Sequence, residues 1–384
     1  MPAIIWRHPN LKVLKEMNEN TTEPTIYAIG NPWQKKVYKK MSGDLEANPE
    51  IRSFGQSSNG TSYKHLLTIE QSKFNFITDK ILSATKERFS KHKAGDLHRI
   101  LTNTAASQPY CFNLIIYLQQ HPSLADKLFS DLFGKQVKVQ HLEPEFTPNL
   151  CDNIKGFERA TDESIGDQNL KLGSGTDSDI AVFYTYDNNE KKGILLIEFK
   201  FIEAEFSVCS SYSGSSKKKN ETEEEKVERI KKRKRVQSIC NSEKFFTEMV
   251  EVKNTLCGYN KYFNWQLTEK SKAIDGKKIK TVPSCPFRFG LNQLWRNMLL
   301  AEQVATARQC DEFGFWVFSP RENDNYLWKK EETEKQFREI LTNQGKEHFQ
   351  KIYLETIFDK LQTIITERDD KLWLTAMETK YRIS

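Results

Sequence analysis

Two acids and a lysine lie beside the two most apolar runs of this 384-residue sequence. Asp179 immediately precedes Ile180–Tyr186 (IAVFYTY), and Glu198 and Lys200 lie within Gly193–Phe201 (GILLIEFKF). Carboxylates at the edge of an apolar sheet repel one another and lose hydration. A hard divalent cation removes that cost, and Asp and Glu oxygens suit Mg²⁺, with Mn²⁺ able to substitute. Mg²⁺ keeps several waters, so the chemistry this trio could support is hydrolysis of a phosphodiester. Lys200 beside such an ion would orient water or neutralise charge on the phosphorus.

The geometry behind that reading is a hairpin. The two runs flank a polar turn, Asp187 to Lys192. If Tyr186 pairs with Gly193, antiparallel register puts Asp179 directly across from Lys200, with Glu198 diagonal to Asp179 on the same face. Opposed Cβ atoms lie about 5 Å apart and diagonal ones about 7–8 Å. A slip of one residue would turn Asp179 to the other face. The triplet Glu-x-Lys alone says little, because it recurs at 190–192, 224–226 and 251–253 in polar turns or charge runs. Only Glu198-Phe-Lys200 ends a buried-type strand with an acid placed to meet it. A purely structural ion pair between Asp179 and Lys200 is the competing reading.

The elements that must hold these residues follow from periodicity. Residues 1–58 show no clean pattern and read as an irregular N-terminal arm, followed by one domain over 59–384. A helical pattern runs over 62–92, and another over 109–133, with Pro122 opening its second helix. Gln136–Phe146 alternates as a half-exposed strand does, and a short strand is expected at Gly156–Glu158. The hairpin runs are apolar throughout, as central strands buried on both faces are. Leu291–Ala305 reads as a helix and Gly314–Ser319 as a strand, with helices at 331–342 and 347–367. Between 211 and 236 the composition collapses to Ser, Gly, Lys and Glu, a charged insertion or solvated helix containing the basic run Lys231–Arg235. This order gives an α/β (α+β) layered domain with a mixed sheet.

Composition narrows the function classes. A net charge of +6 and a pI near 8.7 favour a polyanionic partner. No stretch approaches the roughly 20 apolar residues of a membrane span. The N-terminus lacks the pattern of a secretory signal, so a cytoplasmic protein is expected. Seven scattered cysteines without a Cys-x-x-Cys pair suit reduced thiols, with neither a disulfide scaffold nor a zinc site. Neither a phosphate-binding Gly-x-x-x-x-Gly-Lys-Ser/Thr loop nor Gly-x-Gly-x-x-Gly occurs, and the seven histidines are dispersed.

The segment Gly-Thr176-Asp-Ser-Asp179, an apolar strand, then Leu-Leu-Ile-Glu198-Phe-Lys200 resembles the PD-(D/E)XK (restriction-endonuclease-like) nuclease superfamily. Its core order of helix, three strands, helix, strand is similar to the order above. Further blocks, Ser107–Leu114, Glu198–Glu203 and Gln293-Leu-Trp-Arg-Asn297, resemble one bacterial branch and extend the likeness over about 62–366. The resemblance implies Asp179 and Glu198 as metal ligands and Lys200 as the catalytic lysine. Ser178 stands where the superfamily often has proline.

Other roles follow from the same resemblance. On the helix near 291, Gln293, Arg296 and Asn297 share one polar side. Some branches place a catalytic Gln there, so Gln293 and Arg296 would bind water or scissile phosphate, or else lock the helix to the sheet. Glu70 and Glu158 compete for the extra metal-binding carboxylate that some members supply. Glu203 reads as a surface carboxylate and Trp295 as core. The implied activity is Mg²⁺-dependent endonucleolytic cleavage of DNA, with double-stranded DNA as the partner and a defence role against foreign DNA. Cutting both strands often calls for two active sites, which a homodimer or a partner subunit would supply. The rivals are a non-catalytic nucleic-acid-binding protein of the same fold and another metal-dependent hydrolase, which would not need a basic surface.

Overall fold

The computed structural model describes residues 23–91, 96–148, 177–213, 221–248, 259–281, 284–329 and 331–383. Strands β1 (Val137–Phe146), β2 (Ser178–Tyr186), β3 (Lys191–Phe199), β4 (Glu312–Ser319) and β5 (Phe349–Tyr353) form one mixed sheet in that order. The first three pair antiparallel, while β3–β4 and β4–β5 are parallel. A parallel pair needs a crossover, and a long helix after β3 supplies it. The short strand expected at Gly156–Glu158 lies outside the described residues, and β5 falls within the expected C-terminal helix at 347–367. Five residues, Phe-Gln-Lys-Ile-Tyr, with no clean alternation are a weak signal beside the amphipathic helix that follows them.

The central strands are apolar throughout because helices cover both faces. On one side, Ile180, Val182, Tyr184, Leu195, Ile197 and Phe199 share a core with α1 (Pro32–Ala47), α2 (Asp79–Lys91), α3 (Ser107–Gln120) and α4 (Pro122–Phe133). On the other, Ala181, Ile194 and Leu196 pack against α5 (Glu223–Asn241) and α6 (Leu291–Ala307). Helices α7 (Leu354–Ile364) and α8 (Arg368–Tyr381) close the first core. Pro122 occupies the first turn of α4, where its missing N–H costs nothing, and Gly134 ends that helix in the left-handed conformation.

Part of the expected irregular arm is a helix. Asn31 and Gln34 form a reciprocal capping box at the start of α1, satisfying two otherwise orphaned N–H groups. Its buried residues Trp33, Val37, Met41 and Leu45 recur every four positions. The first three join the core shared with the sheet, and the Trp33 indole donates to the Phe201 carbonyl at 2.7 Å. The early helical pattern over 62–92 resolves into a 3₁₀ turn, Ile69–Asn75, followed by α2. The charged insertion is partly α5, whose cations Lys231–Arg235 are all exposed and which is anchored by buried Val236 and Cys240. Among the described cysteines all are free thiols, and two far apart in sequence meet: Cys240 hydrogen-bonds Cys285, raising the latter's pKa together with burial.

The hairpin register differs from expectation by two residues. Tyr186 pairs with Lys191 and Tyr184 with Gly193, because the turn is only Asp187–Glu190. Asp187, Asn188 and Asn189 all take left-handed backbone angles, which Asp and Asn tolerate better than other non-glycine residues. A shift of two keeps every side chain on its face.

Gly193 lies under the Tyr184 ring, where an added Cβ would overlap the phenol carbons. Tyr184 is held from its far end by a hydrogen bond to Glu312, so it cannot swing aside freely. Gly193→Ala is therefore expected to lower unfolding free energy by about 1–3 kcal/mol, measured by urea denaturation. Unchanged stability would contradict this packing.

Candidate active site

Continuing the β2–β3 register by one residue sets Asp179 opposite Glu198 rather than Lys200. On the other side of β2, the pairs Pro144–Ile180 and Phe146–Ser178 bracket Glu145 opposite Asp179. Three carboxylates, Glu145, Asp179 and Glu198, thus stand on three adjacent strands, and both glutamates act electrostatically on the aspartate between them. They lie where the sheet ends, between the N-termini of α3 and α6.

Lys200 pairs with Glu198, not with Asp179: Nζ lies 2.7 Å from Glu198 Oε1. Both side chains are buried, at 7% and 3% exposure. Gln293 Nε2 donates to Glu198 Oε1 at 2.6 Å and Asn297 Nδ2 to Oε2 at 2.7 Å. Gln293 and Asn297 are one helical turn apart on α6, so one face of that helix grips both oxygens of one carboxylate. Gln293 is itself fixed by the Ser207 backbone N–H, which donates to its Oε1 at 2.8 Å. Asp179 Oδ2 accepts from the Phe199 backbone N–H at 2.7 Å.

The electrostatics follow from crowding. Burial pushes the Asp179 pKa well above the usual carboxylate range, and Glu198 and Glu145 push it further. Lys200 and the Phe199 N–H offset this only in part. Glu145 is raised by burial and by Asp177 and Glu198, against the opposing effects of Gln108 and Arg88. Burial disfavours the Lys200 ammonium, but Glu198, Glu203 and Asp179 outweigh it and raise its pKa. These acids thus favour the charged form of Lys200.

Glu145 is the acid that no sequence pattern singles out. It has φ of 53° within β1, a conformation that costs a non-glycine residue of order 1–3 kcal/mol unless its surroundings fix it. Arg88 of α2 supplies that constraint, its Nε donating to the Pro144 carbonyl at 3.2 Å and Nη2 to the Glu145 carbonyl at 2.9 Å. Gln108, in the first turn of α3, donates to Glu145 Oε1 at 2.8 Å. Glu203 is likewise more than a surface acid. It accepts from Ser107 Oγ at 2.7 Å and from the Phe201 N–H at 3.0 Å, and it faces Lys200 electrostatically.

One expected residue does not join the row. Glu70 lies exposed on the 3₁₀ turn, and its pKa is lowered by its own backbone N–H and by Thr68. It is a locally satisfied acid, away from the row formed by Glu145, Asp179 and Glu198. Glu158 lies outside the described residues. Arg296 sits on α6 toward Cys209 and Asp177, half-buried, with a pKa lowered by burial. Trp295 is core, stacked on Phe287 with its indole donating to Thr268.

A family model described as restriction endonuclease associating with ARP matches residues 37–382. The chain belongs to that family. No curated protein and no solved structure matches it. In this family member the hard oxygen donors of the row suit a divalent cation. As the side chains stand, however, no three Asp, Glu, His or Cys groups among the described residues form a ready ligand cage. Glu198 is occupied by Lys200, Gln293 and Asn297, which supply the counter-charge and donors that an ion would share.

A carboxyl whose folded pKa exceeds its unfolded value, about 3.9 for Asp, binds more protons folded than unfolded between the two. Stability then falls as pH rises through that window, and the full penalty holds above the folded pKa. Asp179→Asn removes it while keeping an oxygen for the Phe199 N–H. In metal-free buffer the variant is expected to melt above wild type near pH 8, with the gap closing toward about pH 4. A variant melting below wild type near pH 8 would contradict the crowding described above.

Proposed function

We propose that this chain is a Mg²⁺-dependent deoxyribonuclease of the PD-(D/E)XK type that hydrolyses phosphodiester bonds in double-stranded DNA, with Mn²⁺ able to substitute. The observation that carries the reading is the row Glu145–Asp179–Glu198, its outer acids buried and Asp179 half-buried, with Lys200 against its end. Such a row is unfavourable in an apolar setting unless cations compensate it. Asp179 and Glu198 would hold the ion, with Glu145 as the third carboxylate. The ion would supply Lewis-acid stabilisation of charge developing on the phosphate.

The chain's own residues do the rest. Lys200 keeps its proton and presents an ammonium to a phosphate or a water beside it. Gln293 and Asn297 fix the orientation of Glu198, and such supporting contacts are worth about 10–100-fold in metal affinity or activity. Arg296, at the Asp177 side of α6, is the candidate phosphate contact. Superfamily resemblance implies products with 5′-phosphate and 3′-hydroxyl ends. The family's description as a restriction endonuclease is what supports a role against foreign DNA, and its mention of ARP is the reason to look for a partner.

A second reading has one observation in its favour. Both oxygens of Glu198 are already satisfied by protein groups, as in a binding protein that keeps the fold without the chemistry. Incubation of the protein with plasmid, linear duplex, single-stranded DNA and RNA decides between them. Cleavage of duplex DNA is expected with Mg²⁺ or Mn²⁺ and not with EDTA. Asp179→Ala and Lys200→Ala are expected to abolish it, and Asn297→Ala to slow it by about 10–100-fold. Cleavage that survives Asp179→Ala or ignores EDTA would overturn the nuclease mechanism, and no cleavage of any substrate would leave the binding protein.

A further inference from the structure

We propose that Phe289 and the cations around it, continued by Arg233 and Lys234 of α5, form the surface on which duplex DNA docks beside the carboxylate row. This inference rests on the nuclease reading and adds to it a surface that the three acids and Lys200 do not define. A single exposed phenyl needs no explanation of its own. Phe289 is distinguished by its setting: its side is open, at 49% exposure, and cations flank it. Arg288 Cζ lies 5.4 Å and Lys329 Nζ 5.8 Å from its ring centroid, and Tyr212 meets it edge-on at 5.7 Å. An exposed aromatic ring among cations is a combination that can wedge between the base steps of a duplex while the charges hold its phosphates.

The position is tied to the reacting groups by short contacts. Gly290, next in the chain, packs against Phe206, whose ring centroid is 6.0 Å from Lys200 Nζ. One turn into α6, Gln293 holds Glu198. Phe289 therefore stands on the rim of the site, at the end of the helix that grips its central carboxylate.

Helix α5 extends the same rim. Its C-terminal end is fastened there, with Arg288 Nη1 donating to Asn241 at 2.6 Å and Gln237 Nε2 donating to the Tyr212 carbonyl at 3.2 Å. Arg233 and Lys234, four and three residues before Gln237, continue that face outward by one turn. They lie about 5 Å further along the axis and are exposed. The acids Glu223–Glu225 sit in the first turn at the far end, where they suit the helix dipole and stay clear of the rim. A cationic face continuous with an exposed aromatic ring, bordering a row of acids, fits a phosphate backbone rather than an acidic protein. A protein ligand would bury the ring without needing the spaced charges.

The test is binding of a fluorescent duplex by the full chain in EDTA, by anisotropy, between about 50 and 200 mM salt. Phe289→Ala is expected to weaken binding by roughly tenfold with an unchanged salt slope, and Phe289→Tyr to restore it. Arg233→Ala with Lys234→Ala is expected to flatten the slope of log K against log salt by about 1.8, near 0.9 for each phosphate that is no longer neutralised. Unchanged melting temperatures would exclude misfolding of these surface variants. Wild type that binds and cuts duplex, with both variants equal to it, overturns the docking surface alone. Wild type that neither binds nor cuts any nucleic acid overturns the nuclease reading as well.

Discussion

The arrangement turns on like charge held out of water. Glu145, Asp179 and Glu198 occupy neighbouring strands at the end of a sheet whose faces are otherwise apolar. Repulsion and lost hydration oppose that placement, so each acid carries its own compensation. Glu198 has an ammonium and two amide donors, Asp179 a backbone N–H, and Glu145 an amide from α3. Most of these partners come from the first turns of helices or from strand ends. The layered fold therefore has both to create the crowding and to deliver the groups that relieve it.

The two helix layers contribute differently. From α6, Gln293 and Asn297 reach one carboxylate and restrict it to a single orientation. From the opposite layer, Ser107 and Gln108 in the first turn of α3 reach Glu203 and Glu145, where the positive end of a helix favours acids. Arg88 fixes the strained Glu145 backbone from α2. Strain fixed in this way at one residue suits a group that must present its charge in a particular direction.

The legible and illegible parts divide along physical lines. Asp179, Glu198 and Lys200 could be placed together from sequence because period-two alternation survives a two-residue error in the turn. The ion-pair partner of Lys200 could not, since that same error exchanges Asp179 for Glu198. Asn297 was visible as one of three polar residues at helical spacing, although its hold on Glu198 depends on where α6 crosses the sheet. Glu145 could not be read at all: it lies in a strand of ordinary alternation, and its inclusion depends on a positive φ that nothing local demands. Helix α1 was hidden because its buried positions are spread four apart among lysines and polar residues, and Cys240 and Cys285 meet only through tertiary packing.

Whether the crowded row is a cation site is the central question, and it can be asked without any nucleic acid. Electron paramagnetic resonance of Mn²⁺ titrated into the full chain near neutral pH counts bound ions directly. Saturable binding is expected in wild type, with loss of that binding in Asp179→Asn and in Glu198→Gln and competition by excess Mg²⁺. Equal binding by all three proteins would contradict the account.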